Sequence, residues 1–216
     1  MRLLTVTFLV MTGLAGAAAA ADIPGRVSFG FNAGGAHSAN DHERLGASGT
    51  GYCYFGEVAY EPAIWLVAPQ AQWGYAYTSA DLPPGETGGY VGQPDALRGA
   101  AMDLLFGARV RVPLWETKLR PYAGPAVTWT NYHRQVTEGD FAVADDASSG
   151  WGWAALGGLE FFPRPASGFS ICLEYRYAAT NQKWRKPPPS TPKGGGGAEF
   201  GLTEKLVTFG VKVYTL

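Results

Sequence analysis

The stretch Gly168–Ala178, GFSICLEYRYA, decides the fold class. Phe169, Ile171, Leu173, Tyr175 and Tyr177 form one face, and Ser170, Cys172, Glu174, Arg176 and Ala178 form the other. Successive side chains of an extended chain point to opposite sides, so this alternation is a strand with one apolar and one polar face. The strand alone does not say which face is outside. A soluble barrel hides its apolar face, whereas a membrane barrel shows that face to lipid and keeps the polar one in its lumen.

Working outward, seven other segments repeat the pattern. Val27, Phe29, Phe31 and Ala33 alternate with Ser28, Gly30, Asn32 and Gly34; Tyr52, Tyr54, Val58 and Tyr60 alternate with Cys53, Phe55, Glu57 and Ala59. A third strand is expected over 63–77, with Pro69 accommodated by a bulge. A fourth sets Met102, Leu104, Phe106 and Val110 against Asp103, Gly107, Arg109 and Arg111. The fifth, over 118–131, sets Ala123, Val127 and Trp129 against Arg120, Tyr122, Gly124 and Thr128, and the sixth sets Trp151, Trp153, Leu159 and Phe161 against Gly152, Gly158 and Glu160. The last, over 202–214, sets Val207, Phe209, Val211 and Val213 against Thr208, Gly210 and Lys212. The intervening stretches 37–49, 79–96, 132–150 and 179–201 are polar or rich in Pro and Gly and read as loops. The other connections are short, so long and short alternate. An all-β, eight-stranded antiparallel up-and-down barrel with its long loops at one end follows.

Before the first strand, Arg2, the apolar run Leu3–Leu14 and the small residues Ala19–Ala21 read as a secretory signal cut after Ala21, leaving the barrel domain 22–216. Charged residues are 16% of the chain, low against about a quarter in ordinary soluble domains, while aromatics reach 13%. A net charge of −1 with scattered basic residues argues against nucleic acid. Cys53 and Cys172 both sit on polar faces of separate strands, and geometry decides whether they pair.

Three features put the apolar face outside. Aromatics gather toward strand ends: Tyr52, Tyr54, Trp73, Tyr75, Tyr77, Trp129, Trp151, Trp153, Tyr175 and Tyr177 near the loop end, and Tyr60, Trp65, Phe161 and Phe169 near the turn end. Two such girdles flanking an aliphatic band are what a bilayer selects. The opposite face is mostly Gly, Ala, Ser, Thr and Gln, which suits a narrow filled interior. Its charges are of both signs, Glu57, Asp103, Glu160 and Glu174 against Arg109, Arg111, Arg120, Arg176 and Lys212, and an interior charge needs a partner. Arg120 and Glu160, on adjacent strands near the turn end, are the expected pair. A secreted lipocalin-like barrel shares the strand number but requires charged strand surfaces, which are scarce here.

The pieces RPYAGPAVTW (120–129), GWAALGGLEFF (152–162) and LEYRY (173–177) resemble the OmpA-like family of eight-stranded outer-membrane β-barrels. The resemblance spans Arg26–Tyr214 and implies a transmembrane barrel in the outer membrane of a Gram-negative bacterium. Members commonly end in an aromatic residue preceded by alternate apolar positions; here the chain ends in Leu216, and Lys212 stands where an apolar residue is expected. No peptidoglycan-binding domain is expected after the last strand.

His37, His42 and His133 fall in expected loops, with Ser38, Asp41 and Glu43 beside the first two and Asp81 in the next loop. A His/Ser/acid site needs base and nucleophile within hydrogen-bond reach. The spacing does not match the lipid A-modifying barrel enzymes, and solvated loop residues are the simpler reading. No cofactor and no metal are expected. The reading is a non-enzymatic, porin-like cell-envelope barrel with a side-chain-filled lumen, acting through surface loops. Its expected partners are outer-membrane lipid, lipopolysaccharide, the barrel insertion machinery and host or phage ligands. A narrow small-solute channel and a lipid A-modifying enzyme are the alternatives.

Overall fold

A computed structural model describes residues 26–40, 49–61, 67–81, 95–111, 118–139, 141–164, 168–185 and 199–215. Within them eight strands form a closed antiparallel barrel in sequence order: β1 (Arg26–Asn40), β2 (Gly49–Glu61), β3 (Val67–Asp81), β4 (Ala96–Arg111), β5 (Leu119–Glu138), β6 (Phe141–Phe161), β7 (Phe169–Trp184) and β8 (Glu199–Thr215). β8 pairs back onto β1, from Val27 opposite Thr215 to Asn40 opposite Leu202. Closure leaves no sheet edge in the lipid region, where an unpaired backbone group has no water to turn to. The segment Met1–Ala21, together with Trp65, Asp41, His42 and Glu43, lies outside the described residues.

Sidedness follows the pleat. Met102, Phe106, Val127, Leu173 and Phe209 are half exposed or more on the outer surface, while their chain neighbours Asp103, Leu105, Thr128, Glu174 and Thr208 are buried in the lumen. Of the aromatics, Tyr52, Tyr54, Tyr60, Trp73, Trp151, Trp153, Phe161 and Tyr175 are exposed, and Tyr75, Tyr77, Trp129, Phe169 and Tyr177 are half-buried on the same outward face. Tyr52 stacks on Tyr77 and Tyr54 on Tyr75, with centroids 5.4 and 5.6 Å apart. Each such cross-strand pair contributes roughly 0.2–1 kcal/mol.

The strands are longer than the sequence pattern marks. The expected loop 132–150 is mostly strand: β5 runs to Glu138, Gly139 has a φ of 59°, and β6 starts at Phe141, with the β5–β6 register shifting between Val136 and Thr137. Glycine, lacking a Cβ, takes that left-handed conformation at no steric cost. His37 and His133, expected in loops, therefore stand in β1 and β5. β1, β3 and β7 likewise extend to Asn40, Asp81 and Trp184.

The prolines need no bulge at Pro69. It lies opposite Ala108 in an unbroken β3–β4 register and one residue past the last β2–β3 pair, Ala59 with Gln70. A missing N–H costs nothing where a ladder has ended. Pro125 acts differently. The β4–β5 pairing skips Ala108 and Arg109 opposite Pro125 and Gly124, then resumes in the same register at Val110 and Ala123.

Candidate functional site

The charged residues expected inside converge on the end of the lumen near the β2–β3, β4–β5 and β6–β7 connections. Glu57 of β2, Arg109 of β4, Glu160 of β6 and Lys212 of β8 form a ring in which cation and anion alternate. Arg109 Nη1 donates to Glu57 Oε1 at 2.7 Å and stands 3.5 Å from Glu160 Oε1. Lys212 Nζ lies 2.9 Å from Glu57 Oε1 and 3.0 Å from Glu160 Oε1. All four side chains are fully shielded from solvent. Arg109 also pairs through Nη2 with Glu61.

The odd-numbered strands complete the layer. Gln72 of β3 donates to Glu57 at 3.2 Å and to Glu174 of β7 at 2.9 Å, and Tyr122 of β5 donates to the other oxygen of Glu174 at 2.7 Å. Ser28 of β1 accepts from Arg109 at 3.4 Å, and Tyr214 donates to Glu160 at 3.0 Å. The Tyr122 ring lies under both cations, 4.7 Å from Lys212 Nζ and 5.3 Å from the Arg109 guanidinium carbon. Gly158 makes room for it, since a Cβ there would come within 2.6 Å of the tyrosine hydroxyl. Every strand thus contributes a side chain; Gln72 and Glu57 are neighbours on adjacent strands, whereas Gln72–Glu174 and Arg109–Glu160 join strands that are not paired.

Arg120 stands opposite Glu160 in the β5–β6 register and carries its guanidinium 4.3 Å from the Phe162 ring centroid. Asp103 and Arg176 sit one layer higher and pair with each other; Thr130 donates to Asp103 at 2.6 Å, and Arg176 lies 4.1 Å over Phe55. Arg111 ends β4, and its side chain is outside the described residues.

Toward the other end the lumen turns apolar. Trp184 stacks on Phe200 with centroids 4.4 Å apart, and Leu202, Leu206, Tyr132, Phe55 and several alanines pack into the same buried cluster. Arg134 lays its guanidinium 4.6 Å over Trp184 and pairs with Asp146 at 3.0 Å.

Glu61, Gln72, Tyr122, Tyr214, Arg134 and Glu204 were not assigned to the interior charge network by sequence. Tyr122 shares a strand face with Arg120, and Glu204 and Tyr214 share one with Lys212, so strand parity could have found them. Arg134 lay in a stretch read as loop.

Among the described residues considered for catalysis, His37, Ser38 and His133 do not form a site. His37 and Ser38 are adjacent in β1 and point to opposite faces. Ser38 is buried and hydrogen-bonded to Thr78 at 2.7 Å, while His37 shares the outward parity of Phe29 and Phe31. His133 faces outward beside Asp145. Among the described residues no group of three or more His, Cys, Asp or Glu is placed to hold a metal. Cys53 and Cys172 are both free and buried; Cys53 donates to Gly35 O at 3.5 Å and Cys172 to Asn32 Oδ1 at 2.9 Å.

Residues 6–212 match the family described as outer membrane protein beta-barrel domain. Among solved structures, the chain is similar to the outer membrane protein OprG of Pseudomonas aeruginosa, at 14% identity over 88% of this chain and 99% of that one, with a TM-score of 0.52. It is also similar to Ail, the attachment invasion locus protein of Yersinia pestis, at 14% identity over the same shares with a TM-score of 0.47. The N-terminal barrel domain of Pseudomonas aeruginosa OprF gives 13% identity over 88% of this chain and 98% of that one, with a TM-score of 0.44. No curated protein sequence matches the chain. With the family match spanning nearly its whole length, the chain belongs to the outer membrane β-barrel family and is an outer-membrane protein of a Gram-negative bacterium.

Proposed function

We propose that the chain is a non-enzymatic structural barrel, exported behind the signal segment Met1–Ala21 and folded by the barrel insertion machinery. Its lumen is plugged by side chains. It contributes to envelope integrity, and it meets lipopolysaccharide and host or phage ligands through the connections at the loop end. The observation that carries this reading is the filling of the lumen at two levels, by the Glu57–Arg109–Glu160–Lys212 ring and by the Trp184–Phe200 cluster. An eight-stranded barrel is about as wide as its own side chains can fill. The opposed facing of His37 and Ser38 supports the absence of a hydrolytic dyad.

Planar-bilayer recording tests the plug. The wild-type barrel is expected to give no conductance steps, and Trp184→Ala with Phe200→Ala is expected to open small ones; regular steps from the wild type would overturn the reading. A narrow channel is the second reading, favoured by unpartnered polar groups toward the turn end. Both amide atoms of Gln70 and the Ser170 hydroxyl are buried without a hydrogen-bond partner, as expected where water enters. Lipid A acylation in cells carrying His37→Ala checks the enzyme alternative: an unchanged pattern is expected, and an altered one restores that alternative.

A further inference from the structure

The outward surface carries a cleft of about 230 Å³ lined by Tyr75 and Tyr77 of β3, Arg98, Gly99 and Ala100 of β4, and His133 and Gln135 of β5. The strand register explains it. Ser79, Arg98 and Gln135 form one row across the three strands, and Tyr77, Ala100 and His133 form the next. A methyl group in the middle of the second row, between a tyrosine and a histidine, leaves a notch in the aromatic girdle. Tyr75 and Tyr77 are held as its wall by stacking on Tyr54 and Tyr52. Asp145 holds the far wall through His133.

The chemistry of the notch changes with height. The next row down the outer face is Tyr75, Met102 and Asn131, and the row below that is Trp73, Leu104 and Trp129, so the middle strand below the notch presents Met102 and Leu104. Above it stands the exposed Arg98 guanidinium, with Gln135 beside it. An occupant has to be apolar below and anionic above, and it approaches over the outer surface at the edge of the lipid band, because every lining side chain faces away from the lumen. The volume falls below the roughly 300–1,000 Å³ of whole small-molecule sites and suits one headgroup whose chains continue down the barrel wall.

We infer that this notch is a binding site for the phosphorylated sugar headgroup of an outer-leaflet glycolipid, with Arg98 engaging the phosphate and an acyl chain lying over Ala100, Met102 and Leu104. The inference rests on the membrane-facing part of the reading above and is independent of whether the lumen conducts. A guanidinium offers a planar fork of donors that matches phosphate. The tyrosine rings supply a face for the sugar and hydroxyls at headgroup level.

Native mass spectrometry of the detergent-purified full chain, titrated with bisphosphorylated lipid A and with its dephosphorylated form, tests this. Wild type is expected to retain one bisphosphorylated molecule, and Arg98→Ala to lower its affinity by about tenfold, as loss of one charge-assisted contact implies. Ala100→Trp, which fills the notch and leaves every charge in place, is expected to lower it comparably. Lys205→Ala, on the outer face of β8, is expected to change nothing. Heat-modifiable migration confirms that each variant is folded. Equal binding of the dephosphorylated lipid, or unchanged binding by both Arg98→Ala and Ala100→Trp, overturns the site. Conductance by the wild type would instead overturn the plug.

Discussion

Toward the turn end, the lumen holds Glu57, Arg109, Glu160 and Lys212 in an alternating ring; toward the loop end, it holds Trp184 stacked on Phe200 above Leu202 and Leu206. The two layers fill the same cross-section by different physics. Burying four charges carries a desolvation cost of several kcal/mol per ion, and mutual attraction offsets it only when the geometry and the remaining hydrogen bonds are good. Here Gln72, Tyr122, Ser28 and Tyr214 supply those bonds. The apolar layer gains chiefly from removal of its surface from water, with Arg134 and Glu204 buried among its apolar side chains. The ring therefore adds little net stability as a unit, yet it fixes which strands face each other, because each of its members answers to groups on other strands. The apolar layer excludes water without demanding one register.

That contrast predicts unequal responses to single substitutions. Arg109→Leu removes the cation that Glu57, Glu61 and Glu160 share, leaving Lys212 to pair with Glu57 and Glu160, and is expected to cost about 3–5 kcal/mol, the range for one half of a broken buried pair. Urea unfolding of the barrel in lipid vesicles measures it. Adding Glu57→Leu should recover part of the loss, because the stranded carboxylate goes with it; a double variant as unstable as the sum of both singles would dissolve the ring as a coupled unit.

In the apolar layer, Trp184→Ala removes a stacked ring and the platform under Arg134, for an expected loss of about 3 kcal/mol. Here the layers differ in kind: no second substitution should rescue stability, but the variant should admit water and small ions. Conductance after Trp184→Ala and none after Arg109→Leu would place the seal in the apolar layer. A smaller effect is expected for Tyr122→Phe, which deletes the donor to Glu174 but leaves Gln72 in contact with it; about 1.5 kcal/mol is reasonable for a hydrogen bond to a charged group.

How far the sequence carried depends on where each residue sits relative to lipid. Within the band, the outer face has to be apolar, so alternation marks Val127, Leu173 and Phe209 outward and their neighbours inward. Beyond the band, water replaces lipid and the outward face becomes polar. Tyr132, Arg134 and Val136 then point inward between His133 and Gln135, and the same extended backbone reads as a loop. The lumen charges were legible by parity, whereas their contacts across the barrel were not. Arg120 and Glu160 are indeed opposite each other in the β5–β6 register, yet the Glu160 carboxylate also reaches Lys212 and Arg109, which sit across the barrel. Such contacts depend on strand tilt and stagger, which side-chain alternation along a single strand does not encode. The Ala100 notch was invisible for the same reason: it is an absence in a row assembled from three strands.

The smallest expected effect tests whether the charged half is wet. Gln70 is buried, and neither its amide oxygen nor its amide nitrogen has a hydrogen-bond partner. Left dry, such a group costs about 1–3 kcal/mol, and Gln70→Leu, of similar size, would relieve that cost and stabilise the barrel. Bridged by water, the amide is already satisfied, and the same substitution should move stability by less than about 1 kcal/mol in the unfavourable direction. The favoured outcome is the second, because the Ser170 hydroxyl and Nε and Nη2 of Arg26 also lack a hydrogen-bond partner toward the same end of the lumen, and shared water satisfies three such polar side chains at once. Clear stabilisation by Gln70→Leu in the same unfolding assay would mean that both halves of the lumen are dry and differ only in what fills them.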